Sequence, residues 1–160
     1  MRTYLIQSCG IVLTSLVIAF FVNLFRENNI SYIATELDTA KLDDILTSES
    51  YNPSIRNIDI ETAQNLHSQR TVFVDARAME YYEEGHIPGA ICNDDFDSLA
   101  TNVMNLIGED KPFVVYCSDD DCGSSEDLAY QLQDYGFMNI LLFKGGWKEW
   151  QEKGLPEALN

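Results

Sequence analysis

The chain has 160 residues, of which 46 % are hydrophobic, and sets 26 acidic against 10 basic side chains for a net charge of −16. Such a surplus argues against nucleic-acid binding, which needs Lys and Arg on phosphates, and against docking on an anionic lipid surface. The four cysteines, Cys9, Cys92, Cys117 and Cys122, are too few for a disulfide scaffold and lack the paired spacing of a zinc site, so no metal or cofactor is expected.

Residues 4–25 are almost wholly apolar and uncharged. As a helix, such a run reaches about 33 Å, the thickness of a hydrocarbon core. It is long for the apolar part of a signal peptide, and no small-x-small cleavage site follows it. Residues 1–26 are therefore expected to be a retained single-pass transmembrane anchor. Arg2 and the N-terminal amine precede it, while Arg26 and Glu27 offset each other after it. That placement puts the N-terminus in the cytoplasm and the acidic domain on the periplasmic or extracellular side. Residues 27–57, rich in Asn, Ser, Thr and Asp, read as a tether. Residues 58–160 form the domain.

Within that domain strands alternate with helices. Asp59 precedes a helix over 60–68; an apolar run over 71–75 is a buried strand. A short helix over 78–84 stops at Gly85. Residues 85–92 turn into a short extended run. Helix 96–107 places Leu99, Val103, Leu106 and Ile107 on one face. Strand 113–116, helix 125–135, strand 139–143 and helix 148–153 follow. This alternation predicts an α/β fold, with a central parallel sheet flanked by helices.

Cys117 holds the most chemically loaded position. It ends strand 113–116, and Ser118, Asp119, Asp120, Asp121, Cys122, Gly123 and Ser124 lead from it into a helix N-terminus. Ligands bind at the C-terminal ends of parallel strands, and a helix N-terminus favours an anion. A thiolate is stabilised there, and the thiolate is the reactive form of cysteine. A buried structural cysteine is the plainer reading of the same pattern.

Val74-Asp75-Ala76-Arg77, Glu80-Tyr81, Gly85-His86-Ile87-Pro88-Gly89-Ala90, Val114-Val115-Tyr116-Cys117 and Gly145-Gly146-Trp147, with Trp150 and Gly154-Leu155-Pro156, resemble the rhodanese-like domain family in order and spacing. The resemblance covers about 58–156. It implies a small α/β domain in which Cys117 carries sulfur as a persulfide. The backbone N–H groups of the loop from Ser118 to Ser124 would cradle its negative charge. The resemblance gives Asp75, Arg77 and His86 structural roles.

The loop departs from the commonest active form. Asp119, Asp120 and Asp121 stand where a basic or neutral polar residue would help a thiosulfate anion; as like charges they raise the thiol pKa and repel that donor. Cys122 gives a Cys-x4-Cys form. Gly123 stands where a phosphatase relative needs its phosphate-gripping Arg, which argues against phosphatase activity. Three functions compete. The first is a sulfurtransferase that takes sulfur from a small donor and passes it to a thiol or protein acceptor. The second is a thiol–disulfide or redox-sensing protein in which Cys122 is the redox partner of Cys117. The third is a non-catalytic binding module whose acidic surface suits a basic protein partner.

Overall fold

In a computed structural model, residues 2–24, 39–40, 53–119 and 122–159 are described. The chain divides into two units, 1–36 and 37–160. The first contains helix α1, Arg2–Leu24. Ile11, Val12, Leu13, Leu16, Val17 and Ile18 are all exposed on it, so its apolar surface runs all round rather than along one stripe. Among the described residues no helix is long and apolar enough to cross a membrane.

The second unit is built in the order β1 (Ser54–Asn57), α2 (Ile60–Ser68), β2 (Phe73–Asp75), α3 (Met79–Glu84), α4 (Phe96–Ile107), β3 (Phe113–Tyr116), α5 (Ser124–Tyr135), β4 (Asn139–Phe143) and α6 (Gly146–Glu152). The four strands form one sheet in the order β1-β4-β3-β2, and every pairing is parallel. All four residues of β3 and all five of β4 are buried. Successive side chains of a strand point to opposite faces. Val114 and Tyr116 accordingly join Leu66, Phe73, Leu141, Phe143 and Trp150 in one apolar layer. Phe113 and Val115 join Leu99, Val103, Ala129, Leu132 and Leu142 in the other. Burial on both faces is what the unbroken apolar runs of these strands require.

Several boundaries differ from the sequence expectation. Ser54–Asn57, placed in the tether, form edge strand β1 along β4, with Ile55 opposite Ile140. Only Ile55 of the four is buried, so the run carries almost no apolar signal. Thr39 bridges to Asn57, and Ala40 lies in the core, so two further residues of the expected tether pack with the domain. In α4 the buried residues are Leu99, Ala100 and Val103, while Leu106 is exposed. Ala100 rotates the apolar stripe away from Leu106. Asp59 does cap α2, its carboxylate accepting the Thr62 N–H at 2.9 Å.

Candidate active site

The site begins where β3 stops. Cys117 follows Tyr116 directly and is 2 % exposed. Its carbonyl accepts the Trp147 N–H at 2.8 Å, and the Ser118 carbonyl accepts the Lys148 N–H at 2.9 Å. The first turn of α6 thus takes up two carbonyls that leave the sheet. Gly146 makes this approach possible. Its φ is +58°, and a Cβ there would run into the Cys117 carbonyl. Helix α6 therefore starts at Gly146, two residues ahead of the expected 148, and its glycine pair sets the direction in which Cys117 leaves β3.

Cys117 and Cys122 are joined by a disulfide, their Cα atoms 6.2 Å apart, a separation that suits such a bridge. The Cys122 N–H donates to the Asp119 carbonyl at 3.1 Å, which closes a turn under the bridge. Ser118 is exposed, and Asp119 and Cys122 are half-buried. Asp120 and Asp121 lie outside the described residues. Gly123 occupies the N-cap of α5 without a side-chain cap; Ser124 is the first helical residue and Ser125 is buried. The helix thus begins one residue ahead of the expected 125, and Ser125 lies buried within its first turn.

Asp75 and Arg77 lie at the end of neighbouring strand β2. The Asp75 carboxylate is wholly buried and accepts from the Arg77 backbone N–H at 3.0 Å, from Nε at 3.0 and 3.2 Å and from Nη2 at 2.7 Å. Arg77 Nη2 also donates to the Gly85 carbonyl at 2.7 Å, and its guanidinium lies 5.3 Å from the centre of the Trp147 ring. Burial opposes the Arg77 charge, but Asp75 outweighs it and the guanidinium pKa rises. Burial, with Asp75 close by, pushes the Tyr116 hydroxyl upward as well. That oxygen accepts the Ile87 N–H at 3.2 Å. His86 is buried and stacks on Tyr82 with ring centres 3.7 Å apart; its Nδ1 lies 2.9 Å from the Tyr82 carbonyl. Its backbone pairs with Ala158. Asp75 and Arg77 thus tie the end of β2 to the Gly85 turn, and His86 joins that turn to Ala158. A cleft of about 340 Å³ opens beside this network, lined by Asp75, Arg77, Asp94, Phe96, Ser124 and Asp127 among others, but not by Cys117.

Residues 60–153 match the rhodanese-like domain. The chain belongs to the rhodanese-like domain family. It is 32 % identical over 99 residues to the thiosulfate sulfurtransferase GlpE of Pseudomonas syringae, a match covering 60 % of this chain and 87 % of that protein. It is 37 % identical over 83 residues to an HTH-type transcriptional regulator of Mycobacterium tuberculosis, covering 52 % of this chain but only 35 % of that regulator. A Bacillus halodurans protein of known structure superposes with a TM-score of 0.55 at 22 % identity, over 63 % of this chain and 74 % of that one. A thiosulfate sulfurtransferase from Pseudomonas aeruginosa gives 0.55 at 23 %, over 68 % of this chain and 20 % of that one. These likenesses in structure support the α/β fold with its central parallel sheet.

The loop anchor in this rhodanese-like domain can be tested independently of its activity. Gly146→Ala places a side chain in the left-handed region, at about 1–2 kcal/mol, and displaces the Cys117 carbonyl. We expect a lower melting temperature and a changed rate of Cys117 alkylation in the reduced chain. Unchanged melting and labelling would show that the contact with α6 does not set the position of Cys117.

Proposed function

We propose that the chain is a sulfurtransferase that carries sulfane sulfur as a persulfide on Cys117. The observation that carries this reading is the place of Cys117: a cysteine at the C-terminal end of a central parallel strand, ahead of a helix N-terminus, in a rhodanese-like domain. The Cys117 thiolate attacks the outer sulfur of a small donor and forms a new S–S bond. The donor's own S–S bond breaks and its remainder leaves with the electron pair. An acceptor thiolate, free or on a protein, then takes the outer sulfur and releases the Cys117 thiolate. The disulfide to Cys122 must be reduced before the first step. Backbone N–H groups between Ser118 and Ser124 cradle the persulfide charge, and the acidic loop favours a neutral sulfur donor over thiosulfate. Mass spectrometry of the reduced full-length Cys122→Ser chain after exposure to glutathione persulfide should locate one added sulfur on Cys117. An adduct elsewhere, or none, would sink the proposal.

We further propose that residues 1–26 anchor the protein in a membrane with the domain on the outer side. Supporting this are the uncharged run 4–25 and the apolar side chains exposed all round α1, although the described helix is not itself long and apolar enough to cross. Protease added to intact spheroplasts should remove the domain; full protection until the membrane is lysed would reverse the orientation. The surplus of acidic side chains suits a basic protein partner on the same side.

A further inference from the structure

Two thiols of one loop are bonded to each other in the structure, and sulfur transfer to an external acceptor uses only one of them. We propose that Cys122 is a resolving nucleophile that discharges the Cys117 persulfide as sulfide, making the domain a sulfane-sulfur reductase coupled to a dithiol. This rests on the persulfide reading of Cys117.

Five positions separate the two residues, and the bond shows that Cys122 Sγ reaches Cys117 Sγ. In a persulfide, Cys117 Sγ is the inner sulfur. Attack there by the Cys122 thiolate forms the Cys117–Cys122 bond and breaks the bond to the outer sulfur. The outer sulfur leaves as hydrosulfide with the electron pair and, after protonation, as hydrogen sulfide. Persulfide plus thiol therefore becomes disulfide plus sulfide, with no external oxidant. Hydrosulfide is a weaker base than an alkyl thiolate and so is the better leaving group. The attack is intramolecular, which gives it a large advantage over any external thiol at cellular concentration.

The burial of the two cysteines fixes the return step. Cys117 is 2 % exposed, whereas Cys122 is half-buried. An incoming dithiol therefore meets the Cys122 sulfur first and releases the Cys117 thiolate. Its second thiol then frees Cys122, and the dithiol leaves oxidised. Each turnover moves two electrons from the dithiol to one sulfane sulfur. Asp119 contributes to the cycle through its carbonyl, which accepts the Cys122 N–H and holds the turn that brings the thiols together.

The test uses the full chain, reduced, freed of reductant and kept anaerobic, with one equivalent of glutathione persulfide. Wild type should release about one sulfide per chain and end two hydrogens lighter, bridged between Cys117 and Cys122. Cys122→Ser should retain one extra sulfur on Cys117 and release at least about tenfold less sulfide, given the intramolecular advantage. Cys117→Ser should do neither. If wild type instead keeps the extra sulfur on Cys117, as Cys122→Ser does, and its Cys122 remains alkylatable, the resolving role is overturned while the persulfide reading stands. If Cys122→Ser takes up no sulfur, both fall.

Discussion

Cys117→Ser is expected to lower the sulfur-transfer rate by roughly 10³–10⁶, to the level of the uncatalysed exchange between donor and acceptor. The substitution keeps the size of the side chain at a buried position but removes the thiol proposed to hold sulfur between two half-reactions. A serine hydroxyl is not ionised at neutral pH and is a weak nucleophile there. His86 is buried against Tyr82 and engaged with that residue's carbonyl. The variant also loses the bridge to Cys122. In the chain-entropy view, closing so short a loop is worth about 2 kcal/mol. Cys122→Ser loses the same bridge and retains the nucleophile. With both variants assayed under reducing conditions, where wild type has no bridge either, transfer to an external thiol should survive in Cys122→Ser and vanish in Cys117→Ser. Equal residual activity in the two would mean that Cys117 is not the sulfur carrier.

Much of the fold is legible in the sequence because its strongest signals are local. Phe113 to Tyr116 and Asn139 to Phe143 are short apolar runs bounded by turn residues, and both are strands buried on two faces. Gly85 ends a helix where expected. Edge strand β1 is not legible, since Ser54, Arg56 and Asn57 are polar and only Ile55 points into the core. Its identity as a strand comes from β4, which lies more than 80 residues away in the chain. The early start of α6 is hidden for the same reason. The Gly145–Gly146 pair looks like a turn, and only the Cys117 and Ser118 carbonyls show why a helix begins there.

At the candidate site the place of Cys117 at a strand end is legible and its environment is not. Cys117 stands out by following an apolar strand and preceding a helix. Whether Cys122 reaches it depends on the path of the intervening loop, which spacing alone leaves open. The structure answers that with a bridge. Asp75 and Arg77 were recognisable as a pair, but their link to the Cys117 loop was not. That link passes through Arg77 to the face of Trp147, and through the Trp147 N–H to the Cys117 carbonyl.

That link makes Asp75→Ala the substitution with the largest expected cost in stability. Both partners of the pair lie inside, with side-chain exposures of 0 % for Asp75 and 6 % for Arg77. Removing the carboxylate leaves a buried guanidinium without its charge partner, facing the Gly85 carbonyl, the Tyr116 hydroxyl and the Trp147 ring. Breaking such a pair costs about 3–5 kcal/mol, a large part of the 5–15 kcal/mol that holds a typical domain together. The melting temperature should fall by roughly 10–20 °C. Salt should change the loss little, since buried pairs are poorly screened. Asp75→Asn, which keeps one acceptor oxygen, should cost less. The double change Asp75→Ala with Arg77→Met should recover most of the loss, because it removes the uncompensated charge and fills the same space with an apolar chain. The recovered double variant should still transfer sulfur more slowly than wild type, since Trp147 then loses the guanidinium on its face and the Cys117 carbonyl depends on that residue's N–H. A double variant as unstable as Asp75→Ala would show that Asp75 acts through its bonds to the β2 turn alone. A double variant with full stability and wild-type rate would show that the pair holds the fold but does not position the nucleophile.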